Sequence, residues 1–418
     1  MPDAMQLGWE DDDELALRSN GRQRSTESTD LRMVERPRPQ LSPRHLTRQP
    51  RVTQEVAPSD TFAAAVGVAA TSARWPRYRK AVVIDSLGGP GRWNNDGLAP
   101  LSATEVADVR ASGLTAVNVT VSGVGSYATD YDKTIRNIAY WRGEVLKHPD
   151  VLLEVRRAAD ITHAKRTARL GLIYGFQDCT PLGEDLERVE TFWNLGVRIF
   201  QLTYNRRNLV ADGCMEATNA GLSEFGRQLI VRLNTQRAVV DLSHAGVRTT
   251  LEAVAASERP VAISHTGCAA VAAHPRNKTD QELRAVAKRG GYVGIYLMPY
   301  LRLHGQPLAE DVLRHLEHAL TICGEDHVGL GTDGVISPVA VTPEFQRQFA
   351  AEVEERRQRG LSATSEDPNV YTFVPDLNVA NRFEHIAALL SARKHPAARI
   401  EKVVGGNFFR LLHEVWGA

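Results

Sequence analysis

Two short apolar runs in this chain each end on a histidine. Ala238-Val239-Val240-Asp241-Leu242-Ser243-His244 is followed about twenty residues later by Val261-Ala262-Ile263-Ser264-His265. A third run, His327-Val328-Gly329-Leu330-Gly331-Thr332, delivers Asp333. Imidazole nitrogen and carboxylate oxygen are the usual ligands of a catalytic zinc, which keeps one position open for water. Such a metal draws the pKa of its water towards neutrality and polarises a carbonyl. Asp333 suits a ligand, or the base that takes the proton from that water. A single histidine at a strand end is more often a hydrogen-bonded structural residue. Two on successive runs, with an aspartate on a third, tip the balance towards a site.

These residues meet only if the runs are parallel strands that end on one rim, and the rest of the chain has the rhythm to provide that. Apolar runs of the kind buried on both faces recur at Val82–Asp85, Ala116–Val121, Gly171–Gln177, Val197–Tyr204, Ala238–His244, Val261–His265, Gly291–Met298 and His327–Asp333. Helical stretches separate them. The clearest start has Ser102 as N-cap with Glu105 three residues on, a capping box. A long helical region is expected over about 128–168. Eight strands alternating with helices predict an α/β fold, a TIM-like (β/α)8 barrel, with a doubly wound open sheet as the alternative. No strand is followed by a GxGxxG or Walker-type loop. Gly88-Gly89-Pro90-Gly91 is glycine-rich but has no lysine, so phosphate cradling has little support.

A barrel of this kind places its chemistry at the carboxyl ends of the strands. Those positions read Asp85, Gln177, Tyr204, His244, His265 and Asp333. Asp241, just before a histidine, suits a supporting hydrogen bond. His163 and His274 have no strand context and read as surface residues. Arg276, in the loop after the sixth strand, can reach over the rim towards a carboxylate, although a solvated loop arginine is the plainer reading. A polar insertion, Ser337 to Pro375, follows the eighth strand and is placed to cover the site.

The bulk properties exclude several classes of function. Formal net charge is zero over 418 residues, which gives no electrostatic case for nucleic acid. No apolar run approaches the roughly 18 residues of a membrane span. Cys179, Cys214, Cys268 and Cys323 form no CxxC pair and read as reduced, mostly buried thiols. Residues 1–78 read as a disordered or linker-like leader. They carry Glu10-Asp11-Asp12-Asp13-Glu14 and Arg36-Pro37-Arg38-Pro39. Within them, residues 61–73 form an alanine-rich apolar run ending in small residues. This is either a linker helix or a displaced, decayed export signal. The expected compartment is cytoplasmic, with export the alternative if that run belongs to a signal. Residues 79–418 form the expected barrel domain.

From about residue 80 onward the chain resembles the membrane (renal) dipeptidase family of zinc peptidases. The matching pieces are Asp241-Leu242-Ser243-His244, Ile263-Ser264-His265-Thr266-Gly267, Pro275-Arg276-Asn277-Lys278-Thr279-Asp280, Val328-Gly329-Leu330-Gly331-Thr332-Asp333-Gly334 and Val404-Gly405-Gly406-Asn407-Phe408-Phe409-Arg410. Asn219-Ala220-Gly221-Leu222-Ser223-Glu224-Phe225-Gly226 also matches. The resemblance implies a TIM-like barrel, often a homodimer, that hydrolyses dipeptides with two zinc ions bridged by a glutamate. It assigns His244 and His265 to one zinc, Asp333 to the other zinc and to proton transfer, and Arg276 to the substrate carboxylate.

Three places depart from the family pattern. The first strand ends Asp85-Ser86-Leu87-Gly88-Gly89, with Leu87 and Gly89 where the family has a metal-binding histidine and aspartate. Gln177 stands at the bridging glutamate, and Tyr204 at a substrate-contacting histidine. The sequence therefore predicts an amide hydrolase with one zinc, held by His244, His265, Asp333 and Gln177. A small peptide-like substrate would be bound by Arg276, and Tyr204 would hold an oxyanion. Two alternatives stay open: a silent barrel that binds a small carboxylate, and metal-independent chemistry using Asp85 and Asp333.

Overall fold

The computed structural model describes residues 74–91, 99–363 and 366–417. The acidic and arginine-rich stretches of the leader and the run at 61–73 lie outside them. Residues 74–78 already pack on the barrel, with Trp75 4% and Tyr78 1% exposed within the main apolar cluster.

Eleven strands form among the described residues. They are β1 (Ile84–Asp85), β2 (Gly88–Gly89), β3 (Ala116–Thr120), β4 (Leu152–Glu154), β5 (Leu170–Phe176), β6 (Val197–Gln201), β7 (Val239–Asp241), β8 (Ala262–Thr266), β9 (Tyr292–Ile295), β10 (Val328–Leu330) and β11 (Gly334–Val335). Eight of them run in the order β1-β3-β5-β6-β7-β8-β9-β10, every pair parallel. The ends of this sheet meet. Ser86 N–H donates to Leu330 O at 3.0 Å, Asp333 N–H donates to Leu87 O at 2.8 Å, and β2 pairs with β11. The result is the expected TIM-like α/β barrel.

The expected helix over 128–168 is in fact two helices, Asp130–Lys147 and Ala158–Thr167, with β4 between them. Pro149 disfavours helical backbone at His148, where the first helix stops. Val151, Leu152 and Leu153 then bury against β5. Strand β5 is seven residues long. β3 covers one edge of it, and β4 and β6 divide the other. The Ser102 capping box forms as its sequence predicts, with Glu105 N–H donating to Ser102 Oγ at 3.2 Å and Ser102 N–H donating to Glu105 Oε2 at 2.8 Å.

Most apolar burial lies between strands and surrounding helices, where Val117, Val119, Leu172, Phe176, Phe200 and Val240 are all at most 2% exposed. Each such side chain contributes about 2 kcal/mol relative to exposure. Phe408, Leu411 and Leu412 of the last helix, Asn407–Trp416, pack against Ile84, Ile173, Ile199, Val239 and Tyr292. The barrel interior also holds a tight polar layer. A Cβ at Gly294 or Gly331 would lie 2.0 or 2.1 Å from Ser264 O, so only glycine admits these strands so close to β8. All four cysteines are free thiols, three of them buried. Among the described residues, no helix is long and apolar enough to cross a membrane.

Candidate active site

The carboxyl rim is where the strand-end residues gather. His244 follows β7 and His265 lies in β8, and both are essentially buried. Their Nε2 atoms approach to 2.9 Å. Burial holds both imidazoles well below the ordinary histidine range, and the nearby Arg276 charge adds to this, so both rings are neutral.

The hydrogen bonds around the rings assign their protons. Leu361 O can only accept, and it takes the Asn205 amide Nδ2–H at 2.8 Å. Asn205 Oδ1 therefore faces His244 Nδ1 at 2.8 Å, and that nitrogen carries the proton. His244 Nε2 is left with a lone pair aimed at His265. On the other side, Ser243 Oγ–H donates to Asp241 Oδ1 at 2.6 Å, Ser264 Oγ lies 3.0 Å from Ser243 Oγ, and His265 Nδ1 lies 2.8 Å from Ser264 Oγ. With His265 donating from Nε2 to His244, Ser264 donates to His265 Nδ1. If the Ser264 hydroxyl turns to Ser243 instead, His265 can carry its proton on Nδ1. Both Nε2 lone pairs then converge on one point, where a bound cation would satisfy them.

That second arrangement is the one a metal requires. Two zinc-bound imidazole nitrogens in a tetrahedral site stand about 3.3 Å apart, a few tenths of an ångström more than here. Asp333 Oδ2 lies 4.0 Å from His265 Nε2. Among the described residues no three His, Cys, Asp or Glu side chains already converge as a metal cluster. His244 and His265 offer a pair of nitrogen donors, which Asp333 could complete only by moving closer. Leu87 and Gly89 offer no donor side chain. Gln177 turns its amide nitrogen to Asp333 Oδ1 at 3.4 Å.

Asp333 itself sits in left-handed backbone, φ 54°, which an aspartate tolerates better than most side chains. Burial raises its carboxyl to about 6, against the pull of Arg276. Asp85 does not face this group. Both of its oxygens are taken by Thr332, from N–H at 2.8 Å and from Oγ1–H at 2.6 Å, and burial raises it to about 7. Asp85 thus tethers β1 to the loop that carries Asp333.

Arg276 is 2% exposed, which reverses the plain solvated-loop reading. Its Nη1–H donates to Ser243 O at 2.7 Å, and its guanidinium carbon lies 5.7 Å from the Tyr296 ring centre. Its Nη2 has no hydrogen-bond partner. A buried guanidinium with an unanswered donor calls for an anion, and a carboxylate matches its fork. His274 is not the surface residue its loop suggested. It is half-buried, stacks on Tyr300 with ring centres 4.5 Å apart, and accepts the Arg276 N–H at 3.1 Å. Burial lowers it to about 4. His163 is exposed, as expected.

Tyr204 stacks on His244 with ring centres 4.2 Å apart. Its hydroxyl accepts from Arg356 Nη2–H at 3.3 Å. Arg356 lies on the helix Pro343–Gln358, within the insertion after β10. Glu366 grips it twice, at 3.0 Å from Nε and 2.9 Å from Nη2. The sequence reading missed Arg356, Glu366 and Asn205. Only Asn205 left a local signal, as a polar residue directly after a strand-end candidate. The insertion does cover the site: besides these contacts, Arg206 Nε–H donates to Gly360 O at 3.1 Å.

Comparison with known proteins gives the chain a family. The model of the membrane dipeptidase family matches residues 98–343, more than half of the chain. Dipeptidase verJ of Clonostachys rogersoniana is 29% identical over 223 residues, 52% of this chain and 56% of that protein. Dipeptidase tcpJ of Claviceps purpurea is 28% identical over 272 residues, 64% of this chain and 56% of that protein. The chain thus spans little more than half the length of these curated relatives. An amidohydrolase crystal structure from Pseudomonas aeruginosa superposes with a TM-score of 0.70 at 32% identity, covering 82% of this chain and 98% of that one. On the family match and this structural relative together, the chain belongs to the membrane dipeptidase family of peptidases.

Proposed function

We propose that this protein is a metal-dependent amide hydrolase that cleaves dipeptides or similar small amides bearing a free carboxylate, and that it holds one zinc rather than two. The observation that carries the proposal is the convergence of His244 Nε2 and His265 Nε2 at 2.9 Å, between Asp333 and the unanswered Arg276 donor. His244, His265 and Asp333 would hold the ion. Bound there, it supplies Lewis-acid polarisation of the amide carbonyl and a water acidified towards neutrality.

The chain's own groups do the rest. Arg276 takes the substrate carboxylate through Nη2, while its Nη1 stays on the Ser243 carbonyl. This fixes one end of a small substrate and sets its length. Asp333 accepts the proton of the attacking water and returns it to the departing amine. Tyr204 donates its hydroxyl proton to the oxygen on which negative charge develops. The insertion after β10 excludes bulk water, which strengthens each of these interactions.

The test is metal content of the purified chain together with hydrolysis of a dipeptide panel. The expected result is about one zinc per chain and turnover that disappears in His244→Ala. Absence of zinc or a similar metal under every loading condition would sink the metal reading. A second reading is favoured by Leu87, Gly89 and Gln177 at the other metal's positions. On it, the barrel binds a small carboxylate through Arg276 without turning it over. Binding with no turnover across the panel would select it.

A further inference from the structure

A phenol hydroxyl has one proton, which prefers the ring plane and so has two orientations. At Tyr204 both degrees of freedom are restricted. Stacking on His244 at 4.2 Å and 23° fixes the ring plane. The Arg356 Nη2–H donates to the phenol oxygen at 3.3 Å, so the hydroxyl proton turns away from it. Donation to an oxygen also makes its own O–H a stronger donor.

Arg356 is itself held in place. Glu366 binds it through two hydrogen bonds, and Glu366 Oε1 also accepts Tyr300 O–H at 3.2 Å and Ala363 N–H at 2.9 Å. An exposed arginine on a surface helix needs no such clamp. This one is three-quarters buried, and the Nη2 that Glu366 holds also donates to a barrel residue 152 positions earlier in the chain.

We infer that Arg356, clamped by Glu366, is a positioning residue that sets the Tyr204 hydroxyl as a directed hydrogen-bond donor for the reaction. Arg356 touches no reacting atom; its charge also bears on Asp333, and its part in orienting the phenol runs through Tyr204. The inference rests on the reading of Tyr204 given under the proposed function. It also gives the insertion a chemical part beyond covering the site, because displacing the insertion releases the phenol proton.

The test uses the full-length, zinc-loaded protein and the variants R356A, R356K, Y204F and R356A/Y204F. For dipeptide hydrolysis, Y204F is expected to lose about 100-fold in kcat and R356A about tenfold, each with KM little changed. R356K is expected to recover part of that loss, because a lysine still donates but has no fork for Glu366. The double variant is expected to be no slower than Y204F. Added guanidinium ion should restore R356A in part and the double variant not at all. Calorimetric affinity for a phosphinate dipeptide analogue should fall in the same non-additive pattern. Losses that multiply in the double variant, or wild-type kcat in R356A, overturn the inference. If the wild type hydrolyses nothing in the panel, the proposed activity falls, and the analogue arm still decides. Coupled weakening by the two substitutions then supports the positioning role, and independent or absent weakening ends it.

Discussion

Gln177→Glu isolates the position that sets how much positive charge the site can hold. In the present chain Gln177 Nε2–H reaches Asp333 Oδ1 at 3.4 Å. The substitution replaces that donor with a carboxylate oxygen at the same distance. Two unit charges 3.4 Å apart repel by about 5 kcal/mol at an effective dielectric constant near 20. The pair avoids most of this by keeping one proton. For a carboxyl already raised to about 6, as Asp333 is, holding that proton at pH 7.5 costs about 2 kcal/mol. With an unfolding entropy of about 2.1 cal/mol/K per residue, a barrel of this size then melts about 3 °C lower in the presence of a chelator. A divalent cation reverses the sign, because the added carboxylate now faces positive charge. Zinc at 100 times its Kd adds about 2.7 kcal/mol to either protein, and its Kd is lower in the variant. The assay is a thermal melt at pH 7.5 with chelator and across a zinc series, with metal content measured on the same samples. Content is expected to stay near one ion in Q177E and to approach two only in L87H/G89D/Q177E. Position 89 has room for the change, the nearest atom to a new Cβ there being 3.7 Å away. If Q177E melts like the wild type under chelator and gains no more from zinc, charge at position 177 does not set the metal count, and the argument fails.

Further expectations follow from single contacts. Arg276→Met removes a buried guanidinium with an unpartnered Nη2, so its melting temperature should equal or exceed that of the wild type while calorimetric affinity for a dipeptide is lost; a large fall in stability would contradict the reading. Asp85 is held at about 7 when folded and lies near 3.9 when unfolded, so the folded chain keeps this proton longer. Its stabilisation is therefore full below about pH 4 and is lost as pH rises to about 7, amounting to at most about 4 kcal/mol. In denaturant titrations Asp85→Asn should flatten that segment of the stability profile, and an unchanged slope would show that the carboxyl is ionised throughout. Ser102→Ala deletes the side-chain half of a capping box and should cost about 1 kcal/mol by denaturant unfolding, without altering dipeptide hydrolysis.

The barrel was legible because parallel strands buried on both faces write themselves as β-branched runs, and their last residues share a rim. His244, His265 and Asp333 were found by that rule alone. Strand β4 was not, because Val151-Leu152-Leu153 is too short to stand out from the helices on either side, and only Pro149 marked the break. His274 was misjudged because what buries it, the Tyr300 ring, comes from the far side of β9. Arg356 was out of reach for the same reason on a larger scale. A charged residue on a polar helix has the local signature of a solvated face, and 152 residues separate it from the hydroxyl it contacts. The proton positions on the histidines were invisible too, since they follow from Asn205 and Ser264, whose partners are set by packing.

The substitutions that distinguish this site are better understood as one change than as three. The two histidines are neutral, Arg276 carries one positive charge, Asp333 one negative, and Arg356 is balanced by Glu366. With one divalent cation and a substrate carboxylate, the net charge of the site is about +1, which a low-dielectric rim tolerates where Asp333 and the carbonyl dipoles lie close. A second divalent ion would raise it to about +3 with no anion to answer it, because Gln177 is neutral and Leu87 and Gly89 offer nothing. Restoring the glutamate alone would leave a carboxylate against Asp333 without the ion that justifies it. Restoring the histidine and aspartate alone would supply ligands for an ion that still lacks its bridge. Each replaced residue is therefore costly to revert singly and consistent with the other two. On the one-zinc proposal, what the chain has kept, a histidine pair whose shell can hold its protons in either of two arrangements, would serve that single ion without them.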